Sequence, residues 1–219
     1  MTSILDKLAS IVPEMIIAGG ATVCLFIGLA SSVAWRKATV WVAGLTLAGS
    51  ILVPAAVPSL DIADSGFAAY AKIAIAVVGV LLVMVAANVP GSLRLAKDVD
   101  LGRTPFDAGL VARGEFFAFM LLSLAGAMLC AGASDLVWLF LALELTSLPT
   151  YVMVATGRDR AVAQESGVKY FFLGAMSAAI FLYGFAMIYG ATGFTEFEQI
   201  RAFIRTQGEL PPLLLLGMV

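Results

Sequence analysis

Long apolar stretches alternate with short polar ones along almost the whole chain, and the apolar stretches have the length a bilayer demands. A hydrocarbon core about 30 Å thick needs about 20 helical residues at about 1.5 Å each. Six stretches meet that requirement: about Pro13 to Val33, Thr39 to Val57, Phe67 to Val89, Phe116 to Ala133, Asp135 to Thr156 and Ser166 to Gly193. Pro54 and Pro58 end the second, and Pro90 and Gly91 close the third. A seventh apolar run, PPLLLLGMV, has nine residues, too few to cross. The fold class predicted is therefore an all-α polytopic membrane protein.

The polar intervals carry their own predictions. Ser92 to Glu115 is a mixed-charge segment with Gly and Pro, which places it outside the hydrocarbon. Almost nothing separates spans four and five, so they form a tight antiparallel hairpin in which Ser134 or Asp135 caps the new helix. Spans five and six are joined by a loop of about ten residues, GRDRAVAQES. Gly174, Ser177, Ala178, Ala179 and Gly184 give span six a small-residue character that predicts close packing inside the bundle. A polar amphipathic segment from Thr195 to Glu209 follows it.

Composition narrows the class. The 219 residues are 61% hydrophobic and 13% charged, with mean hydropathy +1.01, against roughly 25% charged in a soluble domain. The net charge of -2 and the lack of a basic aromatic pattern give no reason to expect a nucleic-acid partner; lipids are the expected surroundings. Cys24 and Cys130 stand alone in apolar sequence, without His or a third Cys, and read as small buried hydrophobes. The N-terminus, MTSILDKLASIVPE, reads as a short interfacial segment without a cleavage site. Loop charges set the orientation: eight basic residues fall on the face bearing Arg36, Lys37 and Arg158, and three on the face bearing Lys7, Arg201 and Arg205. The positive-inside rule puts the first face in the cytoplasm and the N-terminus in the periplasm.

Against this apolar background three charges stand out. Glu144 lies near the middle of span five, where a carboxylate costs roughly 2.5 to 3.5 kcal/mol on insertion scales and commonly marks an ion or proton path. Pro149, five residues on, removes the backbone bond to Leu145 and opens the helix locally. Lys169 lies a few residues into span six from the cytoplasmic side, at a different depth, so the two charges are expected along one hydrated line rather than in contact. Glu144 reads either as a packing group or as a carboxylate whose proton occupancy a nearby cation controls. Lys169 reads either as a snorkelled lysine or as that cation, and Lys72 near the start of span three reads as snorkelling to the headgroups. Thr146 and Ser147 can hold water or serve as helix glue.

The blocks GEFFAFMLLSLAGAMLCAGASDLVWLFLALELTSLPTYVMVA and ESGVKYFFLGAMSAAIFLYGFAMIYGATGFTEF resemble subunit N of NADH-quinone oxidoreductase, respiratory complex I, whose mitochondrial equivalent is subunit 2. The resemblance is specific from Gly114 to about Phe197; ELTSLP matches the family's fifth-helix glutamate motif at Glu144, and VKYFFLGA its sixth-helix lysine motif at Lys169. It implies an antiporter-like transmembrane helix bundle truncated within the first inverted repeat. Residues 1-91 would be three N-terminal transmembrane helices, 92-114 a cytoplasmic loop, and 115-219 the start of the proton-translocation repeat. The implied function is a proton-translocating subunit that couples quinone reduction to proton pumping through the Glu144 and Lys169 relay. Such a subunit has no redox centre: it binds no cofactor or metal, while NADH, FMN, iron–sulfur clusters and quinone belong to other subunits. Its partners would be an adjacent antiporter-like subunit and small membrane subunits of the complex I membrane arm, in the bacterial inner membrane or, alternatively, the mitochondrial one. A cation/proton antiporter subunit, a membrane-bound hydrogenase subunit and a non-catalytic scaffold remain as alternatives.

Overall fold

The computed structural model describes residues 10–29, 33–56, 66–87, 114–156, 160–206 and 210–219. Eight helices run through them: α1 (Val12–Gly28), α2 (Val33–Ala56), α3 (Phe67–Ala87), α4 (Gly114–Ala131), α5 (Leu136–Ala155), α6 (Arg160–Thr192), α7 (Phe197–Thr206) and α8 (Pro212–Met218). Helices α3 to α6 are long and apolar enough to cross a membrane. The apolar part of α2, Ala38–Leu52, and the 17-residue α1 are shorter, with α1 at the lower limit for a span. Much of the predicted polar interval between spans three and four lies outside the described residues, as does Pro58.

Helices α1 to α4 pack around one another, α4 being a partner of α1, α2, α3 and α5. Their shared core holds Ile17, Cys24, Leu47, Val83, Phe117, Leu121 and Met128. Cys24 is fully buried there, as expected of a lone apolar cysteine, whereas Cys130 is only half-buried. From α4 onward the packing becomes serial: α5 lies on α4, α6 on α5, and α8 on α6.

The α4–α5 turn is as tight as predicted. Asp135 caps α5, its carboxylate accepting from the backbone N–H of Trp138 at 2.7 Å, which satisfies one of the amides a helix start leaves open. The same corner is stitched to the α6–α7 corner by an antiparallel bridge between Asp135 and Glu196. In it, Leu136 N–H donates to Thr195 O and Phe197 N–H donates to Ser134 O, both at 3.0 Å. Below the bridge, amphipathic α7 presses Ile200 and Phe203 against Leu136, Ile188 and Leu214. Pro212 opens α8 at its first turn, where the missing N–H costs nothing.

Two expectations about span six change. Its helix begins at Arg160 rather than near Ser166, because the Ala161–Glu165 stretch is good helix-forming sequence and Glu165 pairs with Lys169 one turn on. Most of the anticipated ten-residue loop is therefore helix. Nor does α6 pack inside the bundle among the described residues; its transmembrane stretch is almost entirely exposed. Gly174 does meet α5 and Gly184 meets α8, but Ser177 and Ala179 face outward. A helix apolar on all sides has no single face that directs it inward.

Candidate functional site: an intramembrane carboxylate and two lysines

Glu144 is the ninth residue of the 20-residue α5, about 12 Å from its start at about 1.5 Å per residue. The helix is held there by small groups. Gly126 of α4 lies against Thr146 so closely that a Cβ at Gly126 would fall 2.5 Å from the Thr146 nitrogen. Ser123 donates to the Thr146 carbonyl at 2.8 Å, tying the two helices together. Thr146 and Ser147 donate back to Ala142 O and Leu143 O, and Thr150 to Ser147 O. These hydroxyls surround the opening that Pro149 makes, and Pro149 is itself buried. Back-bonding of this kind leaves the hydroxyls engaged with the helix's own carbonyls. Among the described residues the half-buried Glu144 carboxylate makes no hydrogen bond or ion pair.

Helical spacing puts Phe140, Ser147 and Tyr151 on the same stripe of α5 as Glu144, and this stripe faces α6. Tyr151 stacks edge-on with Tyr170 and Phe171, and its hydroxyl sits where a side chain at Gly174 would project. Toward the α4–α5 corner, Phe140, Leu136, Leu182, Phe185 and Tyr189 line an apolar cleft of about 260 Å³. These contacts fix an antiparallel register in which Glu144 stands level with α6 near Ala178 to Phe181. Lys169 then stands some ten residues away along the axis, or about 15 Å at about 1.5 Å per residue.

Lys169 is 71% exposed and pairs with Glu165, which is 65% exposed, one turn earlier in α6. The helix has 33 residues, well over the number a bilayer core requires, so its first turns extend beyond the hydrocarbon. Counting about 20 residues back from Thr192 puts Lys169 about one turn outside the core. The structure therefore holds Glu144 and Lys169 apart, as their sequence depths predict.

The third charge departs from its expected role. Lys72 is only 11% exposed, and its Nζ lies 2.7 Å from Glu14 Oε1, on a side chain 4% exposed. It also donates to the Ser10 carbonyl at 2.6 Å. Lys72 thus turns inward to a buried counter-ion instead of snorkelling outward, so Glu144 is not the only charge held inside the bundle. The sequence signal that could have found the pair is an acid and a base on the same side of spans one and three, each just inside the apolar run. Among the described residues no group of His, Cys, Asp or Glu is arranged to hold a metal ion.

The sequence profile described as NADH:quinone oxidoreductase/Mrp antiporter, TM, matches residues 133–219. NADH-quinone oxidoreductase subunit N of Alkalilimnicola ehrlichii is 46% identical over 112 residues, covering 51% of this chain and 23% of the relative. Subunit N 1 of Rhizobium meliloti is 35% identical over 206 residues, covering 90% of this chain and 39% of the relative. The chain thus spans well under half the length of these relatives. Two solved structures share the fold. A chain of respiratory complex I from Thermus thermophilus with bound Aureothin matches with a TM-score of 0.57 at 24% identity, over 94% of this chain and 41% of that one. A chain of the membrane-bound sulfane sulfur reductase, an archaeal respiratory membrane complex, matches with a TM-score of 0.61 at 21% identity, over 99% and 43%.

Fold and sequence together define an antiporter-like membrane helix bundle, multi-pass and α-helical. Within that class the chain belongs to the NADH-quinone oxidoreductase subunit N family, as the ELTSLP and VKYFFLGA motifs predict. Its multi-pass topology and bacterial relatives support an inner-membrane location.

Proposed function

We propose that this chain is a proton-translocating, non-redox part of NADH:quinone oxidoreductase, in which Glu144 carries the proton and Lys169 tunes or relays it. The observation that carries this reading is a half-buried carboxylate at mid-span with no protein partner among the described residues, in a helix opened by Pro149. A purely structural carboxylate at this depth would be expected to spend its charge on a hydrogen bond or an ion pair. A carboxylate left open can bind and release a proton, and a hydrated path along the α5–α6 interface would let that proton pass between Glu144 and the level of Lys169. Residues 115-219 would form the start of the translocation repeat, with residues 1-91 as three preceding helices and 92-114 as a cytoplasmic loop. The α4–α5 corner and the N-terminus would lie on the periplasmic side. NADH oxidation and quinone reduction would take place in other subunits, and the neighbours of this chain would be an adjacent antiporter-like subunit and small membrane subunits.

The breadth of the matching profile, which includes Mrp antiporters, favours a second reading as a cation/proton antiporter subunit. The two separate in membranes energised by NADH. Under the first reading, Glu144→Gln at equal amounts of assembled complex lowers quinone-linked proton uptake, with no requirement for sodium. Sodium-dependent proton movement without quinone-linked turnover would favour the antiporter. Orientation is tested by placing a cysteine between residues 161 and 165: an impermeant thiol reagent labels it from the cytoplasmic side only, and labelling from the periplasm reverses the assignment.

A further inference from the structure

Helices α1 and α3 pack mainly against α2 and α4 rather than along one another, yet a buried ion pair joins them. Glu14 lies in the first turn of α1 and Lys72 in the second turn of α3, at the end of the bundle that carries the α4–α5 corner. The bare face of Gly132 in that corner lies beside the ammonium: a Cβ there would stand 3.5 Å from Lys72 Nζ. Lys72 Nζ lies 2.7 Å from Glu14 Oε1 and donates to the Ser10 carbonyl, while both Glu14 carboxylate oxygens are buried and, among the described residues, accept no well-aligned hydrogen bond.

That deficit of donors distinguishes the pair from a closed packing clamp. A buried carboxylate oxygen left without a donor carries a desolvation cost of about 1 to 3 kcal/mol, and a pair serving only to hold helices together would gain by satisfying it. A proton on Oε2 removes the buried negative charge, the costlier part of that deficit, and Lys72 keeps the Ser10 carbonyl as a polar partner while the carboxyl group is neutral. We propose that Glu14, with Lys72 as its counter-ion, is a second proton-exchange site of this chain, placed at the corner end of the bundle. Glu14 takes one proton at Oε2 and becomes neutral, leaving Lys72 as the site's single positive charge. Release of that proton restores the carboxylate and the ion pair, and no other bond is made or broken. Among described groups nearby, the corner contributes Asp135, engaged in capping α5, so the immediate partner that tunes Glu14 is Lys72. The inference rests on the proton-translocation reading above.

The test compares Glu14→Gln, Lys72→Met, the double variant and Glu144→Gln in membranes holding equal amounts of the whole complex, reading protons taken up per quinone reduced. Removing both charges together leaves no unpaired ion, so the double variant assembles, and its proton-to-quinone ratio falls below wild type. Lys72→Arg keeps the counter-ion and restores the ratio. A wild-type ratio in the double variant overturns the proposal, as does its failure to assemble, which would assign the pair to folding. If Glu144→Gln lowers the ratio while the double variant does not, this inference alone fails; if Glu144→Gln also leaves it unchanged, the translocation reading fails first.

Discussion

Glu14 and Lys72 meet with side chains 4% and 11% exposed, whereas Glu165 and Lys169 meet on a surface where they are 65% and 71% exposed. Both are glutamate–lysine pairs at hydrogen-bonding distance, yet their physics differs. Pairing inside low-dielectric surroundings answers a desolvation cost of several kcal/mol per ion, so either charge alone becomes a liability. Pairing in water replaces one favourable environment with another, and such contacts are worth roughly 0 to 1 kcal/mol. What separates the two pairs is where the helices put them. The buried one links elements 58 residues apart and holds a tertiary arrangement; the exposed one follows from helical spacing alone.

Removing one member of each pair should separate them most clearly. Lys72→Met leaves Glu14 without its counter-ion and should cost about 3 to 5 kcal/mol, read as a marked loss of assembled protein and a lower midpoint in thermal denaturation. Lys169→Met should shift that midpoint little, since an exposed i,i+4 pair contributes about 0.3 to 0.5 kcal/mol. Equal destabilisation by the two substitutions would remove the distinction.

Smaller effects should come from the contacts that set Glu144 in place. Gly126→Ala forces a methyl toward the backbone of Thr146 and should destabilise by about 1 to 3 kcal/mol, as overpacking does; Gly19→Ala, with open space around it, is the control and should be close to neutral. A normal midpoint for Gly126→Ala would mean that α4 and α5 separate without penalty. Asp135→Ala loses the cap of α5 and should cost about 1 kcal/mol, with Asp135→Asn recovering most of it in the same denaturation measurement.

Much of the bundle was legible because hydrocarbon thickness acts on every span alike. The tight α4–α5 hairpin and its Asp135 cap follow from an acid placed between two apolar runs, and the depth difference between Glu144 and Lys169 follows from counting residues. Other features depend on information a linear pattern does not contain. Lys72 looks like a snorkelling lysine because its partner lies in another helix, and nothing local marks Glu14 as within reach. The early start of α6 was hidden because AVAQES is polar enough to resemble a loop although its residues favour helix. Gly174 stood out as a small residue, but its specific reason, the ring of Tyr151, is a contact between two helices. The bridge between Asp135 and Glu196 depends on two corners meeting that hydropathy treats as separate polar breaks.

The proposed proton transfer through Glu144 requires its carboxylate to exchange a proton, which is read as the ratio of protons taken up to quinone reduced in membranes carrying Glu144→Gln or Glu144→Asp at equal amounts of assembled complex. Gln keeps the volume and hydrogen-bonding capacity of the side chain but cannot carry a negative charge or exchange a proton. A reduced ratio is expected for Gln and a value between Gln and wild type for Asp. A wild-type ratio with Gln in an assembled complex would contradict it and return Glu144 to packing.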